Sequence, residues 1–365
     1  MPRINSFFTT RVRNPGGASL LDYLARRFDY HPREEWTRLL DLGRLELDGR
    51  PARASDAPRE GQRLRFAVVD YDEPDVPTDF RVLEAHGDSF GPLVDLALVH
   101  KPAGLPVHRT GKIFFQTLAN LARERLGGPD DRAWAPLNRL DRETSGIVAF
   151  ARGPEAFKAL QPSNPATAWT KLYAAVIRAG EGLPDALRLE AALGEKPGDV
   201  IRCRMHAFAP SRTWTAGLAG EPGGKAALTL GRVLVRRGDL ALAVLSPITG
   251  RKHQLRAHLS AAGWPIVGDK IYSDGGRAYL ARLEGDLDDA VWTTLGSRRH
   301  LLHAFHLRLE TPAGGPGREA WDWDAGGEFE ARFSLDPIRA WAESQESRAF
   351  LAEIRAARGT LGSRG

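Results

Sequence analysis

Between residues 93 and 309 six short apolar runs recur, at 93–99, 147–150, 172–177, 228–235, 240–245 and 305–309, each the length of a single strand. Helical periodicity lies between only some of them, over 117–126, 254–262 and 277–283. Strict strand–helix alternation would indicate a doubly wound parallel sheet, and this spacing is too irregular for one. The chain is therefore predicted to fold as α+β, with a mixed, largely antiparallel sheet and flanking helices.

The first seventy or so residues carry a different pattern. Ser19 stands at a helix N-cap position with Asp22 three residues on to complete a capping box, and Leu20, Leu21, Leu24 and Phe28 fall on one helical face. A second helix is expected after Pro32, turning Trp36, Leu39 and Leu40 inward and stopping at Gly43. Leu45-Glu46-Leu47 alternates as a strand, Asp48-Gly49 marks a tight turn, and Leu64, Phe66 and Val68 share one face of a further strand. Arg38, Arg44, Arg50 and Arg53 surround this small unit. Its run 33–49 resembles the S4-type RNA-binding domain, which usually has asparagine where this chain has Asp48. A small appendage that merely packs on a larger domain would show the same pattern. Residues 72–78 are acidic, proline-bearing and without apolar periodicity, as a linker would be. The expected organisation is an S4-like module over 1–71, a linker over 72–80, the main domain over 81–335, and a polar helix with a frayed basic tail over 336–365.

Composition excludes several classes. With 365 residues, 42% hydrophobic and 27% charged, the chain can bury a sizeable core and is not of disordered composition. A net charge of +5 suits a polyanionic partner, although on a chain of this length it is also ordinary surface charge. The single cysteine, Cys203, excludes an intrachain disulfide and a thiolate metal site, and fits a reducing compartment. The N-terminus has no apolar core of a signal peptide, and no apolar run is long enough to cross a bilayer. A soluble, cytoplasmic monomer with no membrane association is the expectation. There is no internal repeat and no low-complexity tract.

Two polar islands stand out. The first, Arg139-Leu140-Asp141-Arg142-Glu143-Thr144-Ser145-Gly146, precedes an apolar run and sets a carboxylate among hydroxyls and two arginines. Neighbouring guanidinium groups keep such a carboxylate ionised, available as a nucleophile or base. A salt-bridged loop before a strand has the same composition. The second, Thr249-Gly250-Arg251-Lys252-His253-Gln254-Leu255-Arg256, places a turn and then basic residues at the start of an amphipathic helix. That arrangement offers an anion site, or simply a solvated basic face. His253 and His258 are five apart, a poor pair on one helix face, and no HExxH pattern occurs, so no metal site is expected.

Together the islands resemble the RluA-type RNA pseudouridine synthases, which carry RLDxxTSG followed by TGRxHQxR. Further elements agree in family order: Lys101-Pro102-Ala103-Gly104, Lys171-Leu172-Tyr173, Gly268-Asp269-Lys270-Ile271-Tyr272 and Leu302-His303-Ala304. The resemblance covers residues from about 93 to 310 and implies the pseudouridine synthase fold and an isomerase acting on ribosomal or transfer RNA without a cofactor, the S4-like module favouring ribosomal RNA. It implies that Asp141 is the essential carboxylate, starting glycosidic cleavage by adding to C1′ or by removing the 2′ proton. Tyr173 would lie against the base and help remove the C5 proton, Arg256 would pair with Asp141, and Arg139 would fill the gap left by the extruded uridine. Arg142, Thr144, Lys171, Arg251, His253 and Gln254 would face the substrate. Asn138 stands where the family commonly has histidine. An RNA-binding protein that kept the fold and lost catalysis is the alternative, against which Asp141, Tyr173 and Arg256 together speak.

Overall fold

The computed structural model describes residues 4–28, 31–71, 73–85, 95–110, 113–127, 133–164, 167–208, 224–285, 287–310 and 318–362. The chain forms two compact units, one of residues 1–75 with 109–115, the other of residues 76–108 with 116–365.

The first unit runs β1 (Ile4–Arg11), α1 (Leu20–Arg27), α2 (Arg33–Asp41), β2 (Leu45–Leu47), β3 (Arg50–Pro51) and β4 (Arg63–Tyr71), with the strands in the order β1-β4-β2-β3. Ser19 caps α1 by accepting from the Asp22 backbone N–H while its hydroxyl donates to the Asp22 carboxylate. Asp48 and Gly49 both take positive φ, as a two-residue hairpin turn between β2 and β3 requires. Leu20, Tyr23, Leu24, Trp36, Leu39, Leu40, Leu45, Leu47, Leu64 and Phe66 make its core. The strand β1 has no counterpart among the sequence expectations. Its Phe7 is 49% exposed and covered by Arg65, 3.5 Å from the ring centroid, so the apolar alternation that marks a strand is blurred there. In the predicted linker, Glu73 is buried and accepts from the backbone N–H groups of Phe114 and Phe115; residue 72 lies outside the described residues.

The second unit is built on one sheet. It comprises β5 (Arg81–Ala85), β6 (Leu96–Lys101), α3 (Leu118–Leu126), β7 (Trp134–Pro136), β8 (Ser145–Arg152), α4 (Pro154–Leu160), β9 (Ala168–Arg178), β10 (Ala186–Gly194), β11 (His206–Phe208), β12 (Lys225–Arg237), β13 (Leu240–Pro247), α5 (Gln254–Ala261), α6 (Arg277–Glu284), α7 (Asp289–Leu295), β14 (Leu302–Glu310), β15 (Arg318–Trp321), α8 (Gly327–Glu330), α9 (Asp336–Ala342) and α10 (Gln345–Gly362). The strand order is β11-β10-β12-β13-β9-β14-β8-β6-β5, with β15 on β14 and β7 on β8. Among the described strands only β14 and β8 run parallel, so the predicted mixed, largely antiparallel sheet is what forms. All six predicted runs are strands, while β5, β7, β10, β11 and β15 were not foreseen.

Side chains alternate across β9. Tyr173, Ala175 and Ile177 face one core with Leu245, Leu255 and Leu259, whereas Leu172, Ala174 and Val176 face a second core. Ile338, Trp341, Phe350 and Ile354 cover that second face. The C-terminal segment is therefore two helices, not one, and their apolar residues belong to this second core. No described helix is long and apolar enough to cross a membrane.

β13 pairs with β9 only from Tyr173 to Arg178. Towards the start of β9 the two strands part, and a cavity of about 820 Å³ opens there.

Candidate active site

Asp141 sits in the loop between β7 and β8, whose turn closes when Thr144 N–H donates to the Asp141 carbonyl. The residues after it pin the loop to the far end of the chain. Thr144 Oγ1 lies 2.7 Å from His300 Nε2, and Ser145 Oγ lies 3.0 Å from His303 Nδ1. Gly146 has φ 115°, and a Cβ on it would lie 2.3 Å from the Ala304 carbonyl oxygen. The Thr-Ser-Gly run is thus two hydrogen-bonding hydroxyls and the one residue thin enough for β8 to lie against β14. From the other side the Lys101 ammonium donates to the carbonyls of Pro102, Leu105 and Arg142, and Gly104 N–H also donates to the Arg142 carbonyl.

Arg256, on the buried α5, donates from Nη1 to Asp141 Oδ2 at 2.7 Å and from Nε and Nη2 to Asp269 at 2.6 and 2.9 Å. Asp269 is fully buried and also accepts from the backbone N–H groups of Ile271 and Tyr272. The Tyr272 ring lies 5.1 Å from the Arg256 guanidinium carbon. All of Arg256's fork is therefore oriented, and the side chain has no other position to adopt. Burial works to raise the Asp141 pKa, but Arg256, with smaller contributions from His253 and His300, more than offsets it, and the carboxyl is held well below the usual carboxylate range. The His253 Nε2 is 3.9 Å from Asp141 Oδ1. Burial, reinforced by Arg256, lowers the His253 pKa to about 4, and the same two causes hold that of His300 well below its ordinary value. At neutral pH both rings are uncharged, and the positive charge beside Asp141 is that of Arg256.

Of the residues singled out in the sequence, Arg139, Asp141, Thr144, Lys171, Tyr173, Arg251, His253, Gln254 and Arg256 line the cavity. Arg142 does not: its Nε donates to the Gly104 carbonyl, and it serves to tie two loops together. Gln254 lines the wall with both ends engaged, Oε1 accepting from Arg251 N–H and Thr249 Oγ1, Nε2 donating to Leu228 O and Thr229 Oγ1. It shapes the helix start and has no free donor for a substrate. Arg251 Nε donates to the Ala226 carbonyl. His253 takes the left-handed N-cap conformation, with Nδ1 3.1 Å from the Tyr272 hydroxyl. Asn138 holds the edge of β8, its Oδ1 accepting from Ala149 N–H at 2.8 Å, which is backbone support that needs no titratable ring.

Tyr173 is 8% exposed and opens onto the cavity. Burial and the Asp141 charge both push its pKa up, so the phenol is un-ionised at neutral pH. Asp269 and Arg358 are among the residues of the site that were not assigned to it from sequence. Asp269 was quoted only as part of a motif, and Arg358, in the predicted tail, lines the cavity with Gly359.

The model for the RNA pseudouridylate synthase family matches residues 95–261. An uncharacterized RNA pseudouridine synthase of Chloroflexus aurantiacus is 30% identical over 292 residues, covering 79% of this chain and 80% of that one. The ribosomal large subunit pseudouridine synthase D of Pseudomonas aeruginosa is 28% identical over 84% of this chain and 88% of its own. The tRNA pseudouridine synthase C of Vibrio parahaemolyticus is 33% identical over 59% of this chain and 80% of its own. Among solved structures, human RNA pseudouridylate synthase domain containing 4 superposes with a TM-score of 0.50 at 27% identity, over 71% of this chain and 93% of that one.

Proposed function

Because this chain belongs to the RNA pseudouridylate synthase family, and so is an isomerase acting on uridine in RNA, we propose that Asp141 is the essential carboxylate of the reaction. The observation that carries this reading is the fixed fork of Arg256, which holds Asp141 ionised while leaving its side chain 24% exposed to the cavity. In the isomerisation the N1–C1′ bond breaks, a C5–C1′ bond forms, C5 loses its proton and N1 gains one. No oxidant or reductant is consumed. Asp141 begins it by adding to C1′ or by taking the 2′ proton. Tyr173, beside it on the cavity wall, lies against the detached uracil and helps remove the C5 proton, its neutral hydroxyl taking that proton only as its own leaves to solvent, from which N1 gains one, so that no charge is left on the phenol. Arg139, exposed at the cavity lip, fills the space of the extruded nucleotide.

The substrate is ribosomal RNA in preference to transfer RNA, with the N-terminal unit as its S4-like RNA-binding module. The basic Arg50 and Arg53 on the exposed surface of that unit support the second part. Relatives are named for both RNA classes, so the choice rests on the module. Replacing Asp141 by Ala should abolish tritium release from C5-labelled uridine transcripts while RNA binding persists. Retained release by Asp141→Ala, or no release by the wild-type chain from RNA that it binds, would overturn the assignment. Pseudouridine mapping in a deletion strain against its parent identifies the RNA.

A further inference from the structure

We infer that Lys171 and Arg358 form a phosphate subsite adjoining Asp141, which takes a phosphodiester flanking the uridine that is isomerised. This rests on reading the cavity as the place of isomerisation, and concerns what holds the RNA strand there.

Trp169, Lys171 and Tyr173 occupy alternate positions of β9 and all line the cavity. Two residues of extended chain span roughly 6.6 Å, so Lys171 stands one such step from Tyr173, on the part of β9 from which β13 has departed. The Lys171 ammonium lies 5.0 Å from the Trp169 ring centroid. Among the described residues it makes no hydrogen bond and no ion pair with a carboxylate. Arg358 reaches the same opening from α10, whose Phe350, Leu351, Ile354 and Ala357 pack on the opposite face of the sheet. Its one hydrogen bond among the described residues is a long one, from Nη1 to Thr170 Oγ1 at 3.4 Å.

Two cations are thus brought together in a half-buried wall with no carboxylate bonded to either. Burial, followed by the Arg358 charge, pulls the Lys171 pKa down to about 8, and burial pulls Arg358 down to about 10. Glu310 opposes that shift at Arg358 but is itself paired with Arg308 at 2.7 Å, and a positive pair with no carboxylate bonded to it is stabilised when an anion arrives. Of the other cations of the cavity wall, Arg256 has Asp141 and Asp269, Arg251 has the Ala226 carbonyl, and Lys252 has Glu195 at 3.7 Å, whereas Arg139 is exposed at the lip rather than half-buried in the wall. The cavity's volume of about 820 Å³ is near the top of the range of about 300–1,000 Å³ for small-ligand sites, leaving room for a flanking phosphate as well as the nucleoside. The match to the family extends over residues 95–261 and so includes Lys171 but not Arg358.

The test uses the full-length chain with variants Lys171→Gln, Lys171→Arg, Arg358→Ala and Arg358→Glu, and a transcript from which the wild type releases tritium. For the neutral variants the half-saturating RNA concentration should rise by about threefold to tenfold, more for Arg358→Glu, with the loss falling there and not on the single-turnover rate at saturation. The slope of log affinity against log salt should become shallower by roughly 0.7–0.9 for each cation removed, and Lys171→Arg should restore it. A methylphosphonate beside the target uridine should reproduce the loss and make the substrate insensitive to Lys171→Gln. Unchanged salt slopes, or a fall in the saturated rate alone, overturn the subsite. If Lys171→Gln melts early, the Arg358 variants near the chain end decide the matter. The salt slope is read without turnover, so a failure of the subsite is distinguishable from a failure of the catalytic reading, which Asp141→Ala tests.

Discussion

Arg256 reaches Asp141 with one nitrogen, Nη1 at 2.7 Å, because Asp269 holds its other two, Nε and Nη2. A lone arginine beside a carboxylate can swing away; one gripped bidentately from behind cannot. Burying these charges is costly, and it is offset because each has its partners. Removing one member alone leaves a buried charge exposed to nothing that compensates it.

Arg256→Gln alone should therefore melt well below wild type, by about 3–5 kcal/mol of stability. The double variant Arg256→Gln/Asp269→Asn should recover much of that loss, yet its activity should fall at low pH sooner. Without the guanidinium the Asp141 pKa rises, and the acid limb of the rate profile moves to higher pH. An unmoved acid limb in the folded double variant would contradict the role given to Arg256.

Tyr173 is un-ionised at neutral pH, because burial and Asp141 oppose the phenolate. Tyr173→Phe keeps the ring against the base and removes only the oxygen. Single-turnover formation of pseudouridine should drop by about 100-fold or more, with RNA affinity changed little. Full activity in this variant would leave Tyr173 a stacking surface and assign the C5 proton elsewhere.

Gly146→Ala should destabilise by about 3 kcal/mol or more, from positive φ and a Cβ driven into the Ala304 backbone. Ser145→Ala, which removes only the contact with His303, should cost about 1–2 kcal/mol. Thermal melting distinguishes them, and equal melting temperatures would refute the steric account of the motif glycine.

Burial lowers the pKa values of His253, His258 and His303 to about 4 from an ordinary 6.5. Between those values the unfolded chain binds protons that the folded chain refuses, so stability rises with pH across that window and is lost on acidification. Each histidine contributes about 1.4 kcal/mol per pH unit there. Denaturant midpoints should fall steeply from pH 6.5 towards 4; a flat profile would mean that the rings protonate within the fold.

Much of this was legible locally. The Ser19 cap, the Gly43 stop, the Asp48-Gly49 turn and six strands follow from periodicity and turn chemistry within a few residues. Strand β1 was not legible, because exposed Phe7 breaks its alternation, and the buried face of the C-terminal helix, expected to be polar, was missed because Phe350 and Ile354 are sparse among charged neighbours.

By itself the sequence determined the kinds of side chain available to the site and their order along the chain: Asp141, Tyr173, Arg256, and the glycines and hydroxyls around them. The tertiary structure alone decided what each is free to do. Arg142 and Gln254 look as cationic or polar as their neighbours, but internal hydrogen bonds engage them. Asp269 becomes the support of Arg256, and Arg358 crosses from the opposite face of the sheet to the cavity. The physical reason is that periodicity acts over one or two turns, whereas a charge's partner is set by packing. The sequence separation of 115 from Asp141 to Arg256 is closed only when β8, β9 and β14 assemble and α5 docks beside them.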